Sequence, residues 1–377
     1  MKNFPLLFCL MLFANIAISQ EPCNDDVIMA VNGKWKTSPD DIIGPDKTFP
    51  ASQYNQLKTR LDKIAVLFQE AYPNPKGNEA NWYRSIRGNA MVNNGPVPYQ
   101  FTSLYLSWYC NPNLHKLMLG TETGTWAYIF INDLNKFLEK VADFKINANT
   151  AFFLPDKVGE WKGMSLYDVG STTYKQDRAV LITRGSQLPY IPVTRLQYLI
   201  AIKQKLEDEK IIQIDLNNKM KIRTDAEQEV DKQTGMENAL KYAPASRVEE
   251  RKANYLKNYK TDQQRKEENL QRLEKNYSVK IKAIDDLLKT FDNDELEKPA
   301  VIDPFHDFKQ FSTLEKGGRM MVLLNNNYFN MQLPRYMPQL MVLRWRSESN
   351  NNAPSQFFKK QFEANFPIDK LKLMIDK

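Results

Sequence analysis

Histidine and the usual catalytic motifs are scarce in this chain of 377 residues. Its two histidines are His115 and His306, and neither has the second nitrogen or sulfur ligand at helical or knuckle spacing that a zinc site needs. His306 and Asp307 could act as an acid–base pair beside a nucleophile, but a turn histidine is the favoured interpretation. The sequence lacks a Gly-x-Ser-x-Gly motif, a phosphate-binding glycine loop and a His-Glu-x-x-His motif. We therefore assign no catalytic residue, metal ligand or cofactor.

Alternating aromatic residues on one predicted strand are the best candidate for a ligand surface. Tyr99, Phe101, Tyr105 and Tyr109 fall on one face of this strand, with small serines between them. If exposed, such rings and their hydroxyl groups could bind a sugar. The favoured alternative is that this face packs beneath a helix predicted for residues 54–71. Burial of Tyr105 and Tyr109 would eliminate the sugar site.

Two pairs of arginines could bind an anion. Arg84 and Arg87 could recognise a carboxylate or phosphate through forked hydrogen bonds, although an ordinary surface role is favoured. Arg344 and Arg346 fall on one face of a C-terminal strand, with Trp345 on the other. Interleaved basic and aromatic residues fit an anionic glycan, but any half-buried strand shows the same alternation. We expect no nucleic-acid partner.

The N-terminal residues predict the compartment. Residues 1–19 combine a basic start, an apolar run and a small-x-small cleavage site, which is typical of a cleavable signal peptide. No later apolar run approaches the roughly 20 residues of a membrane helix. We therefore expect a secreted or periplasmic protein without a transmembrane segment in the mature chain. Cys23 and Cys110 remain after cleavage, and they could form a disulfide or stay as two buried thiols.

Residues 193–297 predict a helical arm. Thr194 and Gln197 have the spacing of a capping box, and apolar residues then recur at helical intervals. A second helix is expected to begin after Pro244, with the turn between Gly235 and Pro244. The formal charge of the chain is +7, yet the arm is nearly balanced, so it should be a solvated pair of the coiled-coil type. We predict a long antiparallel helical hairpin that is grafted onto a compact body without contributing to its interior.

The flanking regions predict the α+β class. An N-terminal α+β domain with antiparallel strands should span residues 25–150. A second α+β domain should span 151–192 and 299–377, interrupted by the arm, with strands from both sides of the arm in one sheet. The runs at 114–119 and 125–131 should pair as a hairpin. The predicted elements are strands at 31–35, 99–110, 114–119, 125–131, 179–183, 320–324 and 339–345, and helices at 54–71, 134–141 and 354–366.

Two motifs in the second half of the chain resemble a family. They are Leu-Pro-Tyr-Ile-Pro-Val-Thr-Arg-Leu-Gln-Tyr-Leu at 188–199 and Leu-Pro-Arg-Tyr-Met-Pro-Gln at 333–339. With the Trp345-Arg346 strand and a signal peptide ending in Ser19-Gln20, they resemble uncharacterised secreted proteins of the Bacteroidota type. The resemblance implies a compartment and an architecture, and it implies no activity.

Three functional classes follow from the sequence. The leading class is a non-enzymatic secreted or envelope protein that binds a protein partner or a second copy through residues 193–291. A long polar helix pair costs conformational entropy to order and buries little surface in a monomer. The second class is a glycan or peptidoglycan binder that uses the aromatic strand face. The third is a hydrolase with an unrecognised site, for which only scattered carboxylates such as Glu122, Asp303 and Asp307 are available.

Overall fold

The computed structural model of the chain describes two compact units of the α+β class, as predicted. Unit 1 comprises Met1–Phe137, Asp156–Gln187 and Asn326–Lys377, and unit 2 comprises Leu138–Pro155 and Leu188–Asn325. The residues that the structure describes are 23–38, 42–43, 49–86, 90–111, 113–114, 116–170, 177–303, 311–348 and 352–377.

These residues form fifteen strands and nine α-helices. The strands are β1 (Trp35–Thr37), β2 (Ile42–Ile43), β3 (Asn78–Ile86), β4 (Tyr99–Asn111), β5 (Lys116–Leu119), β6 (Trp126–Ile131), β7 (Glu139–Ile146), β8 (Asn149–Phe153), β9 (Asp156–Trp161), β10 (Met164–Asp168), β11 (Arg178–Thr183), β12 (Tyr190–Pro192), β13 (Val301–Ile302), β14 (Arg319–Leu324) and β15 (Leu340–Arg346). The helices are α1 (Asp25–Ala30), α2 (Tyr54–Ala71), α3 (Arg195–Asn218), α4 (Asp225–Leu240), α5 (Val248–Asn258), α6 (Asp262–Thr290), α7 (Asn293–Glu297), α8 (Ala353–Asn365) and α9 (Ile368–Lys372).

A ten-stranded sheet runs through the described part of unit 1. Its order is β1-β3-β4-β6-β15-β11-β10-β9, with β2 beside β3 and β5 beside β4. Only β1 and β2 run parallel to their neighbour. Val342 of β15 pairs with Phe130 of β6 on one side and with Leu181 of β11 on the other. Strands from both sides of the predicted arm therefore share one sheet, as expected.

The structure divides the chain differently from the predicted boundary near residue 150. Strand β6 was assigned to the N-terminal domain and β15 to the second, yet Ile131 pairs with Met341 and both strands belong to unit 1. Residues 138–155 leave this sheet, and their strands β7 and β8 join β14 in unit 2. Pairing between strands so far apart in sequence leaves no local signal, which is why composition and turn residues suggested another boundary.

Next to β4, one pairing prediction is wrong and one strand was not predicted. The runs at 114–119 and 125–131 do not form a hairpin together, because β5 and β6 both pair with β4, at different ends of its 13 residues. Strand β3 lies in a segment for which the sequence pattern predicts no helix or strand. It pairs along its whole length with β4, and Ala80, Trp82 and Ile86 alternate into the core.

The prediction of a helix after Asn132 is also wrong. The structure has a single 3-10 turn at Leu134–Lys136, followed by β7. Asn132 has a left-handed backbone with a φ of 56°, and the Asp133 side chain caps only the short turn. The apolar spacing of three and four residues around Phe137 was therefore misread as helical.

Helices α2 and α8 pack on the same face of the large sheet. The Phe68 ring of α2 lies 4.6 Å from the ring of Phe101 on β4, and 5.6 and 5.0 Å from the rings of Phe362 and Phe366. The apolar face of α2 and the inward face of β4 contact each other through these rings. The α2 side chains without exposed surface are Leu57, Leu61, Ile64, Phe68 and Ala71.

Unit 2 combines a small sheet with the base of the arm. The sheet has the order β12-β14-β8-β7, with β13 beside β14. The arm was expected to add nothing to the interior, but Leu206 of α3 and Ile284 of α6 are buried in the core of this unit. The helices must cover the apolar face of the sheet, since α3 and α6 supply much of that core. Other buried members are Phe144, Ile146, Phe153, Val193, Tyr198, Leu199, Ile202 and Met321.

The arm contains an antiparallel helix pair, as predicted, and a second pair at its far end. The Lys203 Nζ atom lies 2.6 Å from Asp285 Oδ1 near the base, and Asn269 donates to Asn217 Oδ1 at 2.8 Å near the other end. The capping box of Thr194 and Gln197 is present. Helices α4 and α5, which we call the head, lie between α3 and α6 in sequence.

The head replaces the simple turn that the sequence suggested. The turn is predicted between Gly235 and Pro244, but Gly235 lies within α4 against the hydroxyl of Tyr255. Capping boxes at Thr224 and Thr261 start α4 and α6, and the sequence analysis identified neither. Because each box has the same Thr-x-x-Glu/Gln form as the one at Thr194, this signal was present in the sequence.

No helix in the described ranges is both long enough and apolar enough to span a membrane.

Candidate functional site

The two cysteines that follow the predicted signal peptide form a disulfide. Cys23 and Cys110 have Cα atoms 5.6 Å apart, which lies within the range that a disulfide requires. The bond ties the residues just before α1 to the end of β4. Disulfides persist in oxidising compartments, so this pairing is compatible with an extracellular or periplasmic protein.

The aromatic face of β4 is not a sugar-binding surface. Tyr99 is 2% exposed and Tyr105 is 0% exposed, and the Tyr105 ring lies 4.0 Å from the ring of Phe358 on α8. Burial raises the pKa of both tyrosine hydroxyls. Tyr109 is exposed, but one ring at the strand end makes no platform. Phe101 on this face packs on Phe68 of α2, in line with the favoured alternative, and Tyr105 packs on α8.

Arg84 serves the packing of unit 1. Its Nη1 atom donates to Asp62 Oδ1 on α2 at 2.9 Å, and its guanidinium carbon lies 5.8 Å from the Trp82 ring centroid. The guanidinium therefore connects β3 to α2. Arg87, which was expected to act with it, lies outside the described residues.

Most of the candidate acid–base residues lie in parts of the chain that the structure does not describe. His115, His306 and Asp307 all lie outside the described residues. Within the part of the chain that the structure describes, no three or more His, Cys, Asp and Glu side chains come together in a way that could hold a metal ion. Glu122 lies exposed in the loop between β5 and β6.

Arg344 and Arg346 lie on one face of β15, as predicted, and they share a buried carboxylate. Asp177 has a side chain only 5% exposed, and its carboxylate oxygens lie 2.5 Å from Arg344 Nη2 and 3.7 Å from Arg346 Nε. Both guanidinium carbons lie over the Trp126 ring, at 5.4 and 5.0 Å from its centroid. Arg346 also donates to the Gly124 carbonyl at 2.9 Å. These contacts make the pair part of an ion cluster of two guanidinium groups and one carboxylate.

Asp177→Ala is expected to destabilise unit 1 by about 2 to 3 kcal/mol, because removing one partner leaves buried guanidinium groups without their counter-charge. The arginine side chains are each 23% exposed, so the effect should fall below that of a fully buried pair. Chemical denaturation followed by tryptophan fluorescence measures the change. Asp62→Ala removes the exposed partner of Arg84 and is the control, expected to cost less than about 1 kcal/mol.

A groove of about 650 Å³ lies in unit 2 between α3 and the β7–β8 hairpin. The hairpin turn at Asn147 and Ala148 has positive φ at both positions, 49° and 65°, as a type I′ turn requires. The floor of the groove is apolar, and its rim carries amides and charges of both signs. Its lining residues are Asp143, Phe144, Lys145, Ile146, Asn147, Ala148, Gln197, Ile200, Ala201, Gln204, Lys205 and Asp208.

Beyond the groove, α3 exposes a group of aliphatic side chains that we call the distal patch. Ile211 is 68% exposed, Ile212 is 55% exposed and Leu216 is 56% exposed. Met220 and Ile222 continue the exposed apolar surface at 41% and 42%. Single exposed aliphatic residues need no explanation, but five of them within twelve residues are an unusual concentration of exposed apolar side chains.

The distal part of the arm is held together by polar side chains. Between residues 207 and 283 only Asn217, Gln228 and Asp262 are buried. Arg223 donates from Nε and Nη2 to the two oxygens of Asp262, both at 2.8 Å, and these hydrogen bonds hold the pKa of that carboxyl well below its ordinary value. Gln228 donates to the Arg223 carbonyl and accepts from the Asp262 amide. This cluster joins α4 and the segment before it to the start of α6 through polar side chains.

Sequence analysis therefore identified the arm but missed its exposed apolar residues. The exposed isoleucines were visible in the sequence, yet their spacing alone could not separate the face that packs on α6 from the opposite face. Comparisons of the chain with protein-family models, with curated proteins and with solved structures found no match.

Proposed function

We propose that this chain is a non-enzymatic secreted or periplasmic protein that binds a protein partner, or a second copy of itself, through the arm. The observation that carries the proposal is the distal patch of Ile211, Ile212 and Leu216. The signal peptide predicted for residues 1–19 supports the compartment, and the disulfide of Cys23 and Cys110 agrees with it. The resemblance to uncharacterised secreted proteins of the Bacteroidota type supports the same assignment.

The energetics of the patch favour a binding role. Burying an isoleucine or leucine side chain contributes about 1.5 to 3 kcal/mol relative to leaving it exposed. Three such residues within two helical turns can thus supply several kcal/mol to an interface, while they add nothing to the stability of a monomer. The arm is nearly neutral, with 20 basic and 21 acidic residues between Leu196 and Glu297. Long-range charge therefore neither steers nor repels the partner strongly.

The glycan-binding alternative loses its main surface. Tyr99 and Tyr105 lie in the core, and Arg344 and Arg346 are held by Asp177. No observation in the described residues brings a nucleophile, an acid and a base together, so the hydrolase alternative gains no support.

Changing the distal patch to glutamine, in the triple variant Ile211→Gln, Ile212→Gln and Leu216→Gln, is expected to abolish association while the protein stays folded. Glutamine is a good helix former, and substitutions at exposed positions usually change stability by less than about 0.5 kcal/mol. Size-exclusion chromatography with light scattering, and co-purification of tagged protein from cell envelopes, measure the association. Val279→Gln, on an exposed residue of α6, is the matched control.

A shortened arm provides a second test of the same proposal. Removing residues 203–290 would delete Leu206 and Ile284 from the core of unit 2, so that deletion would report misfolding. Replacing 208–282 with a Gly-Ser linker keeps both residues, since they lie outside the replaced segment. The linker can be short because packed helices lie only about 8 to 10 Å apart. Wild-type oligomeric state and wild-type co-purification in both the triple variant and the shortened arm would contradict a binding role for the arm.

A further inference from the structure

We infer that the partner of the arm is a second copy of this chain, bound by antiparallel packing of α3 against its symmetry mate. The inference rests on the proposed function and names its partner. It is carried by the groove, by the distal patch and by the order of residues along one face of α3.

The groove and two residues of the distal patch, Ile211 and Ile212, lie on one side of α3. An α-helix turns by about 100° per residue, so residues spaced by three, four, seven and eleven share a face. Leu199, Ile202 and Leu206 mark the buried side, which packs in the core that also holds Ile284 of α6. Residues of the opposite side line the groove, and Ile211 and Ile212 follow them one turn further along. We call this opposite side the back face.

The back face is self-complementary in the antiparallel direction. Ile200 and Ala201 form an apolar pair, and Ile211 and Ile212 form a second pair eleven residues later, about 16 Å along the helix. A twofold axis near the level of Leu206 brings the first pair of one copy over the second pair of the other. In this register Ile200 meets Ile211 and Ala201 meets Ile212, and the contact occurs twice.

The charges between the two pairs favour the same orientation. In the antiparallel register Lys205 of one copy lies beside Asp208 of the other, and the pair occurs twice. A parallel arrangement would instead set Lys205 against Lys205 and Asp208 against Asp208. Lys205 has a loose, partly exposed contact of 3.7 Å to Glu209 in its own helix, so its side chain can turn toward a second copy.

In this arrangement a side chain of the second copy also enters the groove between α3 and the β7–β8 hairpin. Ala201 is the small residue on the side of α3 that faces the β7–β8 hairpin, where Phe144 and Ile146 provide the groove floor. Ile212 of the second copy would lie over Ala201 and insert between α3 and the hairpin. The groove of about 650 Å³ has room for such a side chain. A buried aliphatic anchor in a pocket is the usual centre of a protein interface.

Cysteine cross-linking tests the register. Ile200→Cys and Ile211→Cys are made in separate proteins, while Cys23 and Cys110 stay in their disulfide and do not react. A short thiol cross-linker should give at least about tenfold more covalent dimer in the mixture than in either protein alone, because like residues lie about 16 Å apart along the helices. Ile200→Cys mixed with Val279→Cys should give none. Efficient cross-linking of Ile200→Cys with itself would overturn the antiparallel register.

A charge exchange tests the interface without new cysteines. Lys205→Asp should weaken the dimer about tenfold or more in sedimentation equilibrium, since two opposite-charge contacts become repulsive. Adding Asp208→Lys should restore most of the affinity. A monomeric wild-type protein at all concentrations would overturn the self-association. If the distal-patch triple variant then still lost its co-purifying proteins, the proposed function would stand with another partner.

Discussion

Replacing both Cys23 and Cys110 with serine is expected to lower the free energy of unfolding of unit 1 by about 4 kcal/mol. The two cysteines are 87 residues apart, and the bond removes the entropy of that loop from the unfolded chain. On the chain-entropy account the stabilisation grows with loop length, which places this bond near the upper end of the usual range. The loop spans α1, α2 and β3, so the loss should affect the whole face of the sheet that these helices cover.

Urea denaturation of the double variant, followed by circular dichroism, measures the loss. The wild type with a reducing agent should behave like the variant, since both remove the same covalent link. Cys9 lies within the predicted signal peptide, so the mature protein should have no further thiol to form an incorrect pair. A double variant within about 1 kcal/mol of the oxidised wild type would show that the bond constrains little of the unfolded chain.

The elements that could be predicted from the sequence are those with strong local patterns. Helix α2 has apolar residues at every three or four positions and proline after its end, and its predicted bounds match the structure. Strands β4, β11, β14 and β15 alternate or form short apolar runs, and each was placed within about two residues, the usual uncertainty of such boundaries. The capping box at Thr194 marked the start of α3.

The pairing of strands could not be predicted because its partners are distant in sequence. Strand β15 inserts between β6 and β11, and nothing local in Met341 or Val342 specifies Ile131 or Phe130 as a partner. The same limit produced the incorrect hairpin of β5 with β6. The predicted boundary near residue 150 differs from the observed one for the same reason, since β8, within residues 138–155, pairs with a strand that begins at Arg319.

For the candidate sites, the sequence could not show which side chains are exposed. Tyr105 has the same residue type and spacing whether the strand face is open or covered by α8, and only the fold decides between them. Arg344 and Arg346 looked like an anion site because Asp177, more than 160 positions away, could not be placed beside them. The distal patch was missed because the spacing of Ile211 and Ile212 does not show whether these side chains are packed or exposed.

Phe68→Ala is expected to destabilise unit 1 by about 3 to 5 kcal/mol, the range for deleting a fully buried aromatic side chain. Phe68 is 0% exposed and its ring packs on Phe101, Phe362 and Phe366, so the cavity would open where α2, β4 and α8 meet. The neighbouring rings are closely packed and can relax only partly into that space. Thermal and urea denaturation measure the loss.

Val66→Ala offers a matched control for this prediction on the same helix. Val66 lies two residues from Phe68 and is 50% exposed, so its truncation removes side-chain atoms without opening a cavity. Alanine also has the higher helix propensity, and the expected change is within about 0.5 kcal/mol of zero. If Phe68→Ala cost no more than Val66→Ala, the rings of β4 and α8 would not form the rigid core described here. The aromatic face of β4 would then have to be reconsidered as a surface that a ligand could reach.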